Sequence, residues 1–143
     1  MNLGRLLKQR AAEGRPVRVA VIGAGKFSSL FLAQARTTPG LHLLGVADLS
    51  VERVEKALTA TGWDVKAQAA KSADEALKTG RTFVTDDAGK LIAANGLDVV
   101  VDITGSPAAA IRHTLAAIEQ GRHVVNVTVE ADVLAGPLLA ERA

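Results

Sequence analysis

Apolar positions in this chain fall into short runs rich in Val, Leu and Ile, separated by stretches in which they recur at helical spacing. The runs 17–22, 41–47, 82–85, 97–103 and 123–127 read as five strands, of which 97–103 is the most strongly apolar. Between them, Leu3, Leu6 and Leu7 mark an amphipathic helix over residues 2–12 that stops at Gly14 and Pro16. A second helix covers 26–37 and ends before Pro39-Gly40. A third covers 51–61, with Ser50 as N-cap and Gly62 at its close. Ser72-Ala73-Asp74-Glu75 is a capping box opening a short helix to Gly80. Residues 87–94 form the next helix. Pro107 sits in the first turn of a long helix to residue 120, and Gly121 closes it. The last helix, 130–142, is expected to be interrupted near Gly136-Pro137. Apart from that capping box, the stretch from Trp63 to Gly80 has no clear period.

Strands and helices alternate with short connections. That order predicts an α/β fold, a Rossmann-like doubly wound parallel sheet with helices on both faces, preceded by an N-terminal helix. The expected strand order is 3-2-1-4-5. The sixth strand of the full fold is not expected, because the sequence stops after the last helix. A length of 143 residues suits one domain, 1–143, and leaves a substrate domain to be found outside this chain. Only four aromatic residues occur among 48% apolar ones, so the core must be aliphatic, as a covered parallel sheet requires.

The chemistry concentrates where the first strand ends. Val17–Ile22 runs directly into Gly23-Ala24-Gly25-Lys26-Phe27-Ser28, and Asp48 closes the second strand. Strand, glycine turn, helix, strand and acid in this order form the dinucleotide-binding fingerprint. Gly23 permits the tight turn. Gly25 lets the backbone approach a pyrophosphate, and the amides opening the following helix point at it. Ser28 stands where a third glycine is usual; slightly looser packing is expected, with a hydroxyl available to a phosphate. Asp48 can accept from both hydroxyls of the adenosine ribose and repels a 2′-phosphate, which favours NAD; Arg53, five residues on, leaves NADP open. Thr104-Gly105-Ser106 lies across the switch point, where a nicotinamide ribose would pass. Asp102 is expected to hold loop amides. Asn126, Thr128 and Glu130 cluster at the same carboxyl edge and are the substrate-side candidates.

Other classes are disfavoured. The net charge of +2 comes from 17 basic and 15 acidic residues, without a basic stripe, so a nucleic-acid partner is not expected. No cysteine is present, which excludes a disulfide framework and thiolate chemistry. His42, His113 and His123 form no metal-ligand spacing, and no metal is expected. With neither a signal-like apolar segment nor a membrane-length run, a cytoplasmic protein without a membrane partner is the expectation.

The chain also resembles the N-terminal part of homoserine dehydrogenase-like oxidoreductases that carry a C-terminal SAF domain. The matching residues are Leu3-Gly4-Arg5-Leu6-Leu7, Gly23-Ala24-Gly25-Lys26-Phe27, Phe31-Leu32-Ala33-Gln34 and Ala47-Asp48-Leu49. Gly121-Arg122-His123-Val124-Val125-Asn126 and the run from Val129 to Leu139 match as well. The resemblance covers essentially all of this chain and about the first third of such proteins. It implies NAD(P)-dependent hydride transfer, in a group that includes an alternative deoxyxylulose 5-phosphate reductoisomerase using NADPH. Two departures bear on this. Ser28 replaces the third glycine. The more distant Gfo/Idh/MocA oxidoreductases carry a catalytic Glu-Lys-Pro where this chain reads Glu130-Ala131-Asp132, so no catalytic residue transfers from them.

The resulting expectation is the NAD- or NADP-binding domain of an oxidoreductase acting on a small hydroxy or carbonyl substrate, inactive by itself. The alternative is a non-catalytic nucleotide-binding or sensor domain. Either form is expected to self-associate, since the last strand is left as a sheet edge.

Overall fold

Alternation of apolar side chains along the first strand organises the two layers of the core. The computed structural model describes residues 2–143, and Met1 lies outside the described residues. Helix α1 (Leu3–Ala12) leads into β1 (Val17–Ile22), α2 (Lys26–Ala35), β2 (Leu41–Ala47), α3 (Val51–Ala60) and α4 (Val65–Gln68). Then come β3 (Ala69–Ala70), α5 (Ala73–Thr79), β4 (Thr82–Thr85), α6 (Ala88–Ile92) and β5 (Val99–Asp102). Helix α7 (Pro107–Glu119), β6 (His123–Asn126) and α8 (Val129–Arg142) complete the order. Ala20 and Ile22 of β1 join Leu44, Phe83, Leu91, Ile92, Leu97 and Val100 on one face, beneath α5, α6 and α7. Val19 and Val21 point the other way, onto Leu32 of α2 and Val54 and Leu58 of α3. The period of two in β1 therefore fills both layers of a doubly wound fold.

The sheet has six strands in the order β3-β4-β2-β1-β5-β6, every pair parallel. This corrects the expected order 3-2-1-4-5 to 3-4-2-1-5-6. The five long strands keep their expected neighbours, and the added one is β3, two residues paired with Thr82 and Phe83 at the outer edge. Two alanines have neither β-branched side chains nor a measurable period, so nothing in the sequence announces them. A second correction concerns α8, which runs unbroken through Pro137. The turn before that proline is open to water, with Val133 83% exposed, so the carbonyl that loses its helical donor can be solvated.

The strand ends position everything that follows. β1, β2, β4 and β5 all deliver their carboxyl ends to one edge of the sheet, where the 23–28 turn, Asp48, Thr85 and Asp102 meet. Among the described residues, no helix is long and apolar enough to cross a membrane.

Candidate functional site

Two glycines shape the turn after β1 for different reasons. Gly23 has φ 104°, and a Cβ there would stand 2.6 Å from the Ile103 carbonyl oxygen, so only glycine fits. Gly25, the N-cap of α2, has φ −77° and ψ −174°, which any residue adopts, and a Cβ there would meet nothing within 4 Å. No contact within the chain requires a glycine at 25. What its missing side chain leaves is open space directly over the start of α2. The Lys26 and Phe27 amides that open the helix have no backbone acceptor, Ser28 N donates to the Gly25 carbonyl at 3.1 Å, and no acidic side chain occupies the first turn. Unpaired amides at a helix start are donors of the kind that bind anions.

The Asp48 carboxylate stands behind the turn, its side chain 9% exposed. One oxygen accepts from the Ala24 amide at 2.9 Å, and the other accepts from the Ser50 amide at 2.9 Å. The Arg53 guanidinium lies 3.4 Å from the second oxygen and is largely exposed. Asp48 thus fixes the glycine turn and the entry to α3 while its charge faces the site. Ser28 is buried, and its hydroxyl donates to the Gly25 carbonyl at 2.6 Å. This corrects the expectation of loose packing and of a hydroxyl free for a phosphate: the side chain bonds back within its own turn. Lys26 and Phe27 are exposed at the start of α2.

A crevice of ≈ 310 Å³ opens beside this turn. Asp48, Leu49, Arg53 and Asp86 line one wall, and Thr104, Ser106, Arg112 and His113 the other, over Ile22 and Gly23. Five expected site residues, Gly23, Asp48, Arg53, Thr104 and Ser106, meet here. A larger groove of ≈ 490 Å³ runs between β6, α7 and α8; none of residues 23–28 lines it, and Asn126 is the one expected site residue that does. The smaller crevice is therefore the candidate site.

Asp102, at the end of β5, is 1% exposed and collects four hydrogen bonds. Its Oδ1 accepts from the Thr104 amide (3.1 Å), the Thr104 hydroxyl (2.8 Å) and the Thr128 hydroxyl (3.0 Å). Its Oδ2 lies 2.7 Å from Nδ1 of His113. Burial works against the ionised carboxylate, but the bonds from His113, Thr104 and Thr128 outweigh it and hold the group below its ordinary range. His113 was not among the residues singled out in the sequence. The signal was its place on α7, next to the inward stripe Ala110, Thr114 and Ala117, eleven residues after an acid that ends a strand.

The substrate-side candidates are not brought together. Thr128 is buried, accepting from the Gly105 amide at 3.1 Å while donating to Asp102, so its hydroxyl is used within the chain. The Asn126 amide donates to Asp132 at 3.1 Å, and Glu130 is exposed at the start of α8. Gly105 has φ 68° with open space beside it.

A doubly wound parallel sheet, a Gly-x-Gly turn feeding a helix N-terminus and an acid closing β2 define a Rossmann-type dinucleotide-binding domain. Residues 4–139 match the family described as homoserine dehydrogenase, NAD binding domain, and the chain belongs to that family. It is accordingly an NAD-binding domain of the oxidoreductase type. Its fold is similar to myo-inositol dehydrogenase from Lactobacillus casei in complex with NAD(H) and myo-inositol (TM-score 0.59, 18% identity, 78% of this chain and 28% of that one). It is also similar to scyllo-inositol dehydrogenase from the same organism with NAD(H) and scyllo-inositol (TM-score 0.61, 13% identity, 89% and 34%). An NAD-binding protein from Listeria innocua gives TM-score 0.57 at 22% identity, over 87% and 32%. This chain thus spans about a third or less of each of these proteins. Comparison with curated proteins finds no match.

Proposed function

We propose that this chain is the cofactor half of an enzyme that moves a hydride between nicotinamide and a small substrate's hydroxyl- or carbonyl-bearing carbon, in the manner of homoserine dehydrogenases. The observation that carries the reading is Gly25, a glycine that the chain's own packing does not need, set over free helix amides. When bound, the dinucleotide would supply the hydride. Gly25, Lys26 and Phe27 would hold its pyrophosphate. Asp48 would face the adenosine ribose, its negative charge favouring NAD over a 2′-phosphate, with Arg53 as a local counter-charge. Thr104, Gly105 and Ser106 would line the path of the second ribose. Residues outside 1–143 would supply the substrate pocket, so the chain alone binds cofactor without turning over substrate.

The test is a fluorescence titration of purified 1–143 with NADH and NADPH. Saturable binding with tighter NADH is expected. A folded chain that binds neither would defeat the reading, and substantial carbonyl reduction by 1–143 alone would remove its division of labour. A second reading, self-association, is favoured by one observation. Val125 on the β6 edge and Val129, Val133, Leu134 and Leu138 on α8 are 51–83% exposed, forming an apolar surface beside an unpaired strand edge.

A further inference from the structure

His113 is held by a device more elaborate than packing requires. Its Nδ1 lies 2.7 Å from Asp102 Oδ2, inside a network that also fixes Thr104 and Thr128. Because the Asp102 carboxylate is buried and accepts every bond it makes, Nδ1 must be the nitrogen that carries the proton. The ring is thereby locked in one orientation and, when neutral, in one tautomer. In the neutral ring Nε2 keeps its lone pair, and it has no hydrogen-bond partner among the described residues. The side chain is 19% exposed, and His113 lines the crevice opposite Asp48 and Arg53. A structural histidine would use both nitrogens or bury the second one against apolar atoms. In its neutral form this one presents a fixed acceptor to the space beside the glycine turn.

We infer that His113 is a cofactor-contacting residue, whose Nε2 accepts a hydrogen bond from a ribose hydroxyl of the bound dinucleotide. The inference rests on the dinucleotide reading of the crevice and names a contact that the fingerprint does not include. The division of polar groups around the crevice supports the choice of ligand group. The α2 amides, Arg53 and Arg112 are donors suited to phosphate oxygens. The charged or imidazole acceptors lining it are Asp48, Asp86 and His113, and the ribose hydroxyls are the matching donors on a dinucleotide. Asp102 does not line the crevice and acts through the side chains it fixes, His113 and Thr104, as a positioning residue.

The experiment uses the whole chain with NADH as probe. His113→Phe keeps a ring of similar size and removes Nε2, and NADH should then bind about five- to tenfold more weakly, the worth of one neutral hydrogen bond. A long-range ¹H–¹⁵N spectrum of the wild-type imidazoles provides a readout that does not depend on the variant folding. It should show the proton on Nδ1 in the free chain and a shift of the Nε2 resonance on addition of NADH. Wild-type binding with an unmoved Nε2 resonance would overturn the inference and leave the dinucleotide reading intact, and so would a folded His113→Phe chain of unchanged affinity. A wild-type chain that binds neither NADH nor NADPH would overturn both.

Discussion

Substituting Gly25 separates the fold from the site more cleanly than any other change in this chain. In Gly25→Val the new Cβ meets no atom within 4 Å, and the backbone, at φ −77° and ψ −174°, is one that valine prefers. Glycine there caps α2 without a side-chain bond, so the stability cost is at most about 1 kcal/mol. The branched side chain instead fills the space through which a phosphate must reach the α2 amides. Each amide–phosphate bond is charge-assisted and contributes about 1.5–3 kcal/mol. Losing even one weakens NADH binding tenfold or more, since about 1.4 kcal/mol corresponds to a factor of ten. The assay is a pair of measurements on one preparation, a thermal melt and a calorimetric NADH titration. The expected result is a nearly unchanged melt with a Kd at least tenfold higher. Gly23→Ala is the contrasting control. There the Cβ stands 2.6 Å from Ile103 O at φ 104°, so a loss of about 1–3 kcal/mol in stability is expected. A folded Gly25→Val chain that binds NADH as tightly as the wild type would refute the assignment of this turn to the pyrophosphate.

Four further outcomes are expected. Asp102 has a lowered folded-state pKa and so binds fewer protons than the unfolded chain. Its contribution is full above about pH 4 and is lost as the pH falls through the lowered value, so acid melts of Asp102→Asn should lack that part of the pH dependence. Burial, aided by Arg18 and opposed by the bond to the Arg81 carbonyl, also lowers His42, so the wild type should lose stability as pH falls below about 6.5, and His42→Gln should flatten that slope. Asp48→Ser should narrow the preference for NADH over NADPH in parallel titrations, and an unchanged ratio would mean that Asp48 serves only the Ala24 and Ser50 amides. Light scattering of the wild type should show a dimer that Val125→Lys disrupts, and a clean monomer at high micromolar concentration would refute self-association.

What the sequence made legible is what local periods and turns encode. Val17–Ile22 alternates because its two faces fill two layers, and Gly23 follows because the turn against Ile103 admits no side chain. The five long strands and Asp48 were readable on the same grounds. Ala69–Ala70 was not, because its pairing with β4 is decided by neighbours distant in sequence, and alanine has no strand signature of its own. The bond from Ser28 to Gly25 is local, and the habit of short hydroxyls to bond back within a turn could have revealed it. His113 meeting Asp102, and Thr128 meeting both Asp102 and Gly105, are contacts among a strand end, a helix interior and a loop. For His113 the spacing from Asp102 and the stripe of α7 were the only local signs; the Thr128 contacts, 23 and 26 residues away, had none.

The four bonds on Asp102 have one more consequence. Helix α8 has no side-chain bond capping its own start; Thr128, at that position, instead turns its hydroxyl inward to Asp102 and Gly105. His113 and Thr128 make no bond to each other, yet both end on the same buried carboxylate. Removing either leaves that charge with fewer donors, so the second removal starts from an already altered state. Substitutions at 113 and 128 should therefore be non-additive in a double-mutant cycle, although their side chains are not bonded. The crevice wall and the root of α8 thus share one buried carboxylate, and a coupling energy near zero in that cycle would show that the two bonds are independent.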